Sequence, residues 1–139
     1  MIHVMCGIPG SGKSTLAKAL HQQIGGALIE IDACSDSPRQ ATAVARARFL
    51  HALQTAEPII WDGTSLTPHR RAWVLEQSKA ANRKTKIHVI FCTPELAIIR
   101  QGQRERQVPE RTIRRAALQF TPPKDNEGWD EIMYYEAKQ

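Results

Sequence analysis

The sequence has no long apolar run, and this absence excludes a helix that crosses a membrane. Such a helix needs about 18 or more consecutive apolar residues, and no stretch of this kind occurs among the 139 residues. The first residues also lack the charged, apolar and small-residue segments of a signal peptide. We therefore expect a cytoplasmic protein with no membrane partner.

Cysteine is scarce, and its spacing excludes a disulfide framework and a cysteine-bound metal. The three cysteines are Cys6, Cys34 and Cys92, an odd number, and none stands at metal-ligand spacing. The five histidines likewise show no H-E-x-x-H or related pattern. We expect reduced thiols, and chemistry that is carried by other residue types.

Aromatic residues are also few, at 6% of the chain. Trp61 and Trp73 are predicted to be core residues rather than platforms on which a nucleobase stacks. Trp129 and the pair Tyr134 and Tyr135 are predicted to hold the carboxy-terminal segment against the sheet. Stacking on a nucleobase remains open for them, but nothing in the sequence selects them for it.

Positive charge is in excess and unevenly placed. The formal net charge is +5, and residues 1–123 carry 17 Lys and Arg against 9 Asp and Glu. Six arginines fall between Arg100 and Arg115. Such a stretch favours a polyanionic partner, either nucleotide phosphates or a nucleic acid backbone, although a helix face exposed to water would carry the same charges.

Apolar runs rich in β-branched residues alternate with segments that have helical spacing or helix caps. The runs predict strands at Ile2–Cys6, Ala27–Ile31, Pro58–Asp62, Ile87–Cys92 and Ile132–Tyr135. Helices are predicted at Lys13–Ile24, Pro38–Thr55, Pro68–Ala81, Pro94–Gln101 and Pro109–Gln119. This alternation predicts one α/β domain over residues 1–139, a parallel sheet of about five strands with helices on both faces.

One motif near the amino terminus predicts what the protein binds. Residues Gly7–Ser14 read GIPGSGKS and fit the phosphate-binding pattern G-x-x-x-x-G-K-[ST] at every fixed position. A predicted strand precedes the motif and a predicted helix follows it, so backbone amides and a helix amino terminus face an anion. Lys13 is predicted to contact the β- and γ-phosphates of ATP in catalysis, and Ser14 to ligate Mg²⁺. The predicted nucleotide-binding residues are Gly7, Pro9, Gly10, Ser11, Gly12, Lys13, Ser14 and Thr15.

A kinase also needs a carboxylate near the γ-phosphate to accept a proton from the acceptor hydroxyl. The carboxyl ends of parallel strands line the ligand crevice, and Asp32 and Asp62 lie at the ends of two predicted strands. Asp62 is predicted to hold Mg²⁺ through water or to position the loop, and Asp32 to orient the acceptor hydroxyl. Asp36 is a rival to Asp32, and each of Asp32 and Asp62 could instead simply cap a turn.

Three blocks of the sequence resemble the P-loop polynucleotide kinases, which phosphorylate 5′-hydroxyl ends of nucleic acids. The blocks are GIPGSGKST (Gly7–Thr15), DGTSLTPHRR (Asp62–Arg71) and RERQVPERTIRRAALQFTPPKDNEGWDEI (Arg104–Ile132). They occur in the family's order and extend through nearly the whole chain. The resemblance implies a three-layer P-loop fold of adenylate-kinase type, with a lid over residues 101–112.

The same resemblance implies roles for individual residues. Asp32 would be the general base, Arg39 would contact an acceptor phosphate, and Arg104 or Arg106 would close over ATP from the lid. The other residues implied on the substrate side are Asp36, Thr64, Arg70 and Arg71. The family usually places its arginine three residues after the base aspartate. Asp36, and not Asp32, has that spacing to Arg39. Asp32 is nevertheless the predicted base, because it directly follows a predicted strand, and Asp36 is the alternative.

These features together predict an enzyme that moves the γ-phosphate of ATP, with Mg²⁺, to the 5′-hydroxyl end of DNA or RNA. A kinase of a small hydroxyl acceptor, such as a nucleoside, nucleotide, sugar or antibiotic, would use the same catalytic residues. A third alternative is an ATPase whose nucleotide state switches its binding to RNA or protein. Salt separates the first two, because binding through several nucleic acid phosphates weakens steeply as salt rises.

Overall fold

The structure is a computed structural model that describes residues 1–55, 58–103 and 108–138. Its strands are β1 (Ile2–Cys6), β2 (Ala27–Glu30), β3 (Ile59–Asp62), β4 (Thr85–Phe91) and β5 (Glu131–Glu136). Its helices are α1 (Lys13–Ile24), α2 (Ile31–Cys34), α3 (Pro38–Ala52), α4 (Pro68–Ala80), α5 (Pro94–Gln101) and α6 (Glu110–Gln119). Every predicted strand and helix is present, and the four-residue helix α2 is the element that periodicity did not predict, because it is too short to show a pattern.

The five strands form one parallel sheet in the order β2-β3-β1-β4-β5, which confirms the predicted fold class. Strand β1 lies at the centre, where Ile2 pairs with Ile59 of β3 and with Thr85 of β4. All strands point the same way, so the loops that follow them meet at one edge of the sheet. The segments after Cys6, Glu30 and Asp62 are therefore neighbours in space.

Helices cover both faces of this sheet. Apolar side chains of β1 point alternately to the two faces, so each face needs helices to bury them. Met5 faces α1 and packs with Ala17. Val4, which points the other way, belongs to the larger cluster that α3 and α4 complete through Phe49 and Val74. This gives the three layers, helix on sheet on helix, that the sequence predicted.

Side-chain caps fix where two helices begin. The Thr67 hydroxyl accepts a hydrogen bond of 3.2 Å from the Arg70 amide at the start of α4. The Thr93 hydroxyl accepts one of 3.2 Å from the Leu96 amide at the start of α5. In both helices a proline follows the capping residue, where its missing N–H costs nothing.

No helix in the described ranges has both the length and the apolar character needed to cross a membrane.

A chain of three polar side chains lies on the α1 side of the sheet. A hydrogen bond of 3.0 Å joins Nδ1 of His3 to Nε2 of His88, and one of 2.8 Å joins Nδ1 of His88 to the Tyr135 hydroxyl. Burial, followed by the charges of His3 and Lys86, lowers the pKa of His88 to about 4. Burial also lowers the pKa of His3. Both imidazole rings are therefore neutral at pH 7, and each has a lower pKa in the folded protein than in the unfolded chain.

We expect acid to destabilise the fold through these histidines. Between pH 6.5 and 4, His88 is mostly protonated in the unfolded chain but mostly neutral in the folded protein. Because the unfolded state binds more protons in this range, the free energy of unfolding falls as pH falls. The contribution of His88 is about 2–3 kcal/mol over that interval. Urea unfolding at a series of pH values measures it. The variant His88→Gln should show a flatter pH dependence than the wild type, and equal slopes would contradict the assignment.

Candidate functional site

The loop between β1 and α1 has the backbone that its motif requires. Gly10 and Gly12 have φ angles of 86° and 98°, in the left-handed region that favours glycine. A Cβ on Gly10 would lie 2.5 Å from the carbonyl oxygen of Ala97. The Gly7 amide donates a hydrogen bond of 3.0 Å to the Thr64 carbonyl. The loop is thus held in shape by the segment after β3 and by α5.

The groups around this loop suit phosphate and a divalent cation. The Ser11 hydroxyl is buried and has no hydrogen-bond partner within the described chain. The Lys13 side chain is 8% exposed, and its Nζ lies 3.5 Å from Oδ1 of Asp62, whose side chain is 3% exposed. A tight charge-assisted bond measures about 2.7–2.9 Å, so this pair leaves both groups able to take a further ligand.

A cavity of about 480 Å³, here called the loop cavity, opens beside Lys13 and Ser14. Asp32, Gln101 and Val108 also line it. Pro9, Gly10 and Gly12 complete the part of its wall that the motif contributes. Thr15 lies on the wall of another cavity, of about 750 Å³, together with Ser11, Arg100 and Lys138.

A third cavity, of about 570 Å³, lies between α3, α4 and the loop after β3, and we call it the α3–α4 cavity. The predicted residues on its wall are Asp32, Asp36, Thr64 and Arg70. Asp32 lines both this cavity and the loop cavity, whereas Asp36 lines the α3–α4 cavity alone. Arg39 is exposed near the start of α3 and lines neither of the two. The geometry therefore places Asp32 at the junction of the two cavities.

The expectation that Arg71 binds substrate needs correction. Arg71 is 1% exposed, and its guanidinium donates two hydrogen bonds of 2.7 Å to the carboxylate of Glu127. It donates a third, of 3.1 Å, to the Ser65 carbonyl. Because these bonds occupy the guanidinium, Arg71 acts on the site by fixing the loop that follows β3.

Glu127 is the acceptor that completes this arrangement, and sequence reasoning did not single it out. Burial opposes its ionisation, but hydrogen bonds from Arg71 and Trp129 hold the pKa of Glu127 below its usual value. The Trp129 indole donates to the same carboxylate at 2.5 Å. Glu127 lies 56 residues from Arg71 in the chain, so only the fold reveals the pair.

We expect Glu127→Ala to lower the free energy of unfolding by about 3–5 kcal/mol, because it leaves the buried Arg71 charge without a partner. Glu110→Ala is the matched control. Glu110 pairs with Arg114 on the surface, at 3.0 Å with both side chains at least half exposed, and such a pair contributes about 0–1 kcal/mol. Urea unfolding at pH 7 compares them, and equal losses would show that the Arg71–Glu127 pair is no more than a surface contact.

Two further residues of the site were missed because their roles depend on contacts distant in sequence. Arg100 donates hydrogen bonds of 3.0 Å to the Ser11 carbonyl and 2.8 Å to the Lys138 carbonyl, which ties the loop to the carboxy-terminal segment. Gln101 is buried, and its Oε1 accepts a hydrogen bond of 3.1 Å from the Val108 amide. The sequence showed a run of arginines here but not which of them contacts the loop.

The predicted lid falls only partly on described residues. Arg104 and Arg106, its two candidate catalytic arginines, lie outside them. The described part of the lid consists of Gln101, which ends α5, residues 102–103 and residues 108–112. Gln101 and Val108 are joined by the hydrogen bond given above, and both line the loop cavity.

Solved structures of three proteins share this fold at low sequence identity. A gluconokinase from Sinorhizobium meliloti 1021 aligns with a TM-score of 0.74 and 15% identity, over 99% of this chain and 82% of its own. A fungal RNA kinase aligns with a TM-score of 0.75 and 16% identity, over 99% of this chain and 74% of its own. Kti12 of Chaetomium thermophilum, in complex with ADP-AlF3, aligns with a TM-score of 0.69 and 16% identity, over 98% of this chain and 89% of its own.

These likenesses show a common three-layer P-loop fold and leave the substrate of this chain open. Among curated proteins, none matches the sequence significantly. Residues 2–123 match the AAA_33 family, described as an AAA domain. Together with the parallel sheet and the glycine-rich loop, this match shows that the chain belongs to the AAA_33 family of AAA domains.

Proposed function

We propose that this protein is an ATP-dependent kinase that phosphorylates the 5′-hydroxyl end of DNA or RNA. The observation that carries the proposal is the position of Asp32 on the wall of both the loop cavity and the α3–α4 cavity. A donor phosphate in the first cavity and an acceptor hydroxyl in the second would meet at that carboxylate. The fold shared with a fungal RNA kinase agrees with this assignment.

The donor side is assigned to the glycine-rich loop. Its backbone amides and the Lys13 ammonium would hold the phosphates of ATP, with Gly7, Pro9, Gly10, Ser11, Gly12 and Thr15 shaping the loop. The Ser14 hydroxyl and the Asp62 carboxylate are oxygen ligands of the kind that Mg²⁺ prefers, and they would hold it. When bound, Mg²⁺ neutralises charge on the phosphate oxygens.

The acceptor side is assigned to the α3–α4 cavity. Asp32 accepts the proton of the acceptor hydroxyl. The oxygen of that hydroxyl forms a bond to the γ-phosphorus, while the bond between the γ-phosphorus and the ADP oxygen breaks and ADP leaves. Thr64, Arg70 and Asp36 line this cavity and would orient the acceptor. Arg39 is exposed near the start of α3 and would contact a phosphate further along the strand.

The lid completes the proposed site. Arg104 or Arg106 would contact the transferring phosphoryl group from a lid over residues 101–112, where an arginine contributes about 10³–10⁵ in rate. Gln101 and Val108, which belong to the same segment, are hydrogen-bonded to each other and line the loop cavity. We assign residues 1–139 to one kinase domain that includes this lid.

A kinase of a small hydroxyl acceptor is the second candidate. The α3–α4 cavity of about 570 Å³ is within the range of about 300–1,000 Å³ that small-molecule sites occupy. One of the proteins that share the fold is a gluconokinase, a name that denotes a kinase of a small hydroxyl acceptor. The two candidates differ in the acceptor alone.

Phosphate transfer from γ-labelled ATP tests the proposal. We expect a 5′-hydroxyl oligonucleotide to become labelled, while the same strand with a 5′-phosphate, gluconate and free nucleosides remain unlabelled. The affinity for the strand should fall with salt, with a slope of about 0.7 per phosphate contact on logarithmic axes. Labelling of small acceptors alone, with no salt dependence, would instead establish the second candidate.

A further inference from the structure

Arg46 and Trp73 form a contacting pair on the wall of the α3–α4 cavity. The Cζ atom of the Arg46 guanidinium lies 4.7 Å from the centre of the Trp73 ring. Both residues line the cavity, as do Asp32 and Arg70. The pair joins α3 to α4 across the cavity wall, so its position is set by both helices.

The Trp73 ring has a fixed place because other aromatic rings hold it from behind. Its centre lies 5.7 Å from that of Phe49 and 6.0 Å from that of Trp61. Phe49 is completely buried and Trp61 is 5% exposed, so this cluster belongs to the core. Trp73 itself is half-buried, and Arg46 is exposed. At the cavity, the aromatic cluster therefore presents the Trp73 ring with the planar guanidinium of Arg46 lying against it.

A surface pair with only a structural role is the ordinary explanation of an arginine beside a tryptophan. Two features of this pair favour a ligand. It faces a cavity shared with the proposed base Asp32, and Arg46 already lies against an aromatic ring, which lowers the cost of ordering the side chain for a second contact. A guanidinium plane on an aromatic ring is a surface on which a nucleobase stacks.

We propose that Arg46 and Trp73 form the platform on which the terminal nucleobase of the acceptor strand stacks. This inference rests on the proposed function and names the part of the acceptor that the site recognises. Trp73 packs against the core cluster, as expected, and the proposal adds a role for the part of its ring that lines the cavity. A nucleobase offers a flat ring to this surface and a sugar acid does not, so the platform favours a nucleic acid end over a small sugar-like acceptor.

Two oligonucleotides that differ only at the 5′-terminal residue test the platform. One carries an ordinary 5′-hydroxyl nucleotide, and the other a stable abasic tetrahydrofuran residue with the same 5′-hydroxyl. Stacking on a side chain changes affinity by about 5- to 150-fold per base, so we expect wild-type kcat/KM to favour the first strand by a factor in that range. The difference should appear in the KM for the strand and leave the KM for ATP unchanged.

Variants at the two residues assign the preference. Arg46→Lys keeps the charge but removes the guanidinium plane, and Trp73→Leu removes the ring beneath it. Both variants should reduce the preference for the base-bearing strand to less than about twofold, because the stacking contribution that produces the preference is lost. Arg48→Lys is the matched control on the same helix, because Arg48 is exposed and does not line the cavity, and it should keep the full preference.

Each outcome decides the inference. Equal rates on the two strands with the wild-type enzyme would overturn the platform and leave the proposed function standing. A preference that survives in both Arg46→Lys and Trp73→Leu would overturn the assignment to these residues. If the wild type phosphorylates neither strand, the proposed function itself fails. Thermal unfolding of Trp73→Leu shows whether that variant is folded, and Arg46→Lys gives the answer if it is not.

Discussion

Replacing Lys13 with methionine is expected to lower kcat/KM for phosphate transfer by about 10³-fold or more, the scale that follows from losing a preorganised charge at the transferring group. The Lys13 ammonium is buried in the loop cavity, and the negative Asp62 lies 3.5 Å away. Methionine keeps the apolar stem of the side chain but has no charge to place on the phosphates. The loss should therefore appear mainly in kcat, as expected for an interaction that strengthens in the transition state.

Lys84→Met is the matched control for this change, since Lys84 carries the same charge but its side chain is 78% exposed and distant from the loop cavity. It should transfer phosphate at the wild-type rate. Calorimetry with ATP and Mg²⁺ separates binding from chemistry in the two variants. A Lys13→Met enzyme that retains more than about a tenth of wild-type activity would contradict the role assigned to this ammonium.

The sequence was sufficient to predict those parts of the fold whose causes are local. The glycine-rich motif lies between β1 and α1, and Pro68 and Pro94 follow capping threonines at the starts of their helices. Each feature depends on a few consecutive residues, so its pattern can be read directly. The parallel sheet followed from the alternation of strands and helices, which is also visible along the chain.

The parts of the site that could not be predicted depend on contacts between distant segments. Arg71 occurs within a motif that resembles a substrate-binding block, yet its guanidinium is held by Glu127, 56 residues away. The contact of Arg46 with Trp73 joins two helices whose packing no local pattern describes. Asp32 lies on the short helix α2, which no local pattern predicted, and its place on the wall of the loop cavity could not be read from the sequence.

The comparison of Asp32→Asn with Asp36→Asn is the second large effect that we expect. Asparagine matches aspartate in size and still orients an acceptor hydroxyl, but it cannot accept the proton. General-base catalysis contributes about 10²–10⁴ in rate, so Asp32→Asn should lower kcat by that factor while the KM for ATP changes little. Asp36→Asn should lower kcat by less than about tenfold, because Asp36 lines only the α3–α4 cavity and would act through orientation.

Single-turnover transfer to a saturating 5′-hydroxyl strand distinguishes a base from a binding residue, because it isolates the chemical step. The rate of that step should fall by about 10²–10⁴ in Asp32→Asn. It should fall by less than about tenfold in Asp36→Asn, which makes that variant the matched control. The reverse pattern, with most of the single-turnover rate lost only in Asp36→Asn, would transfer the role of base to Asp36. In that case the spacing of three residues to Arg39, rather than the junction of the two cavities, would be the feature that identifies the base.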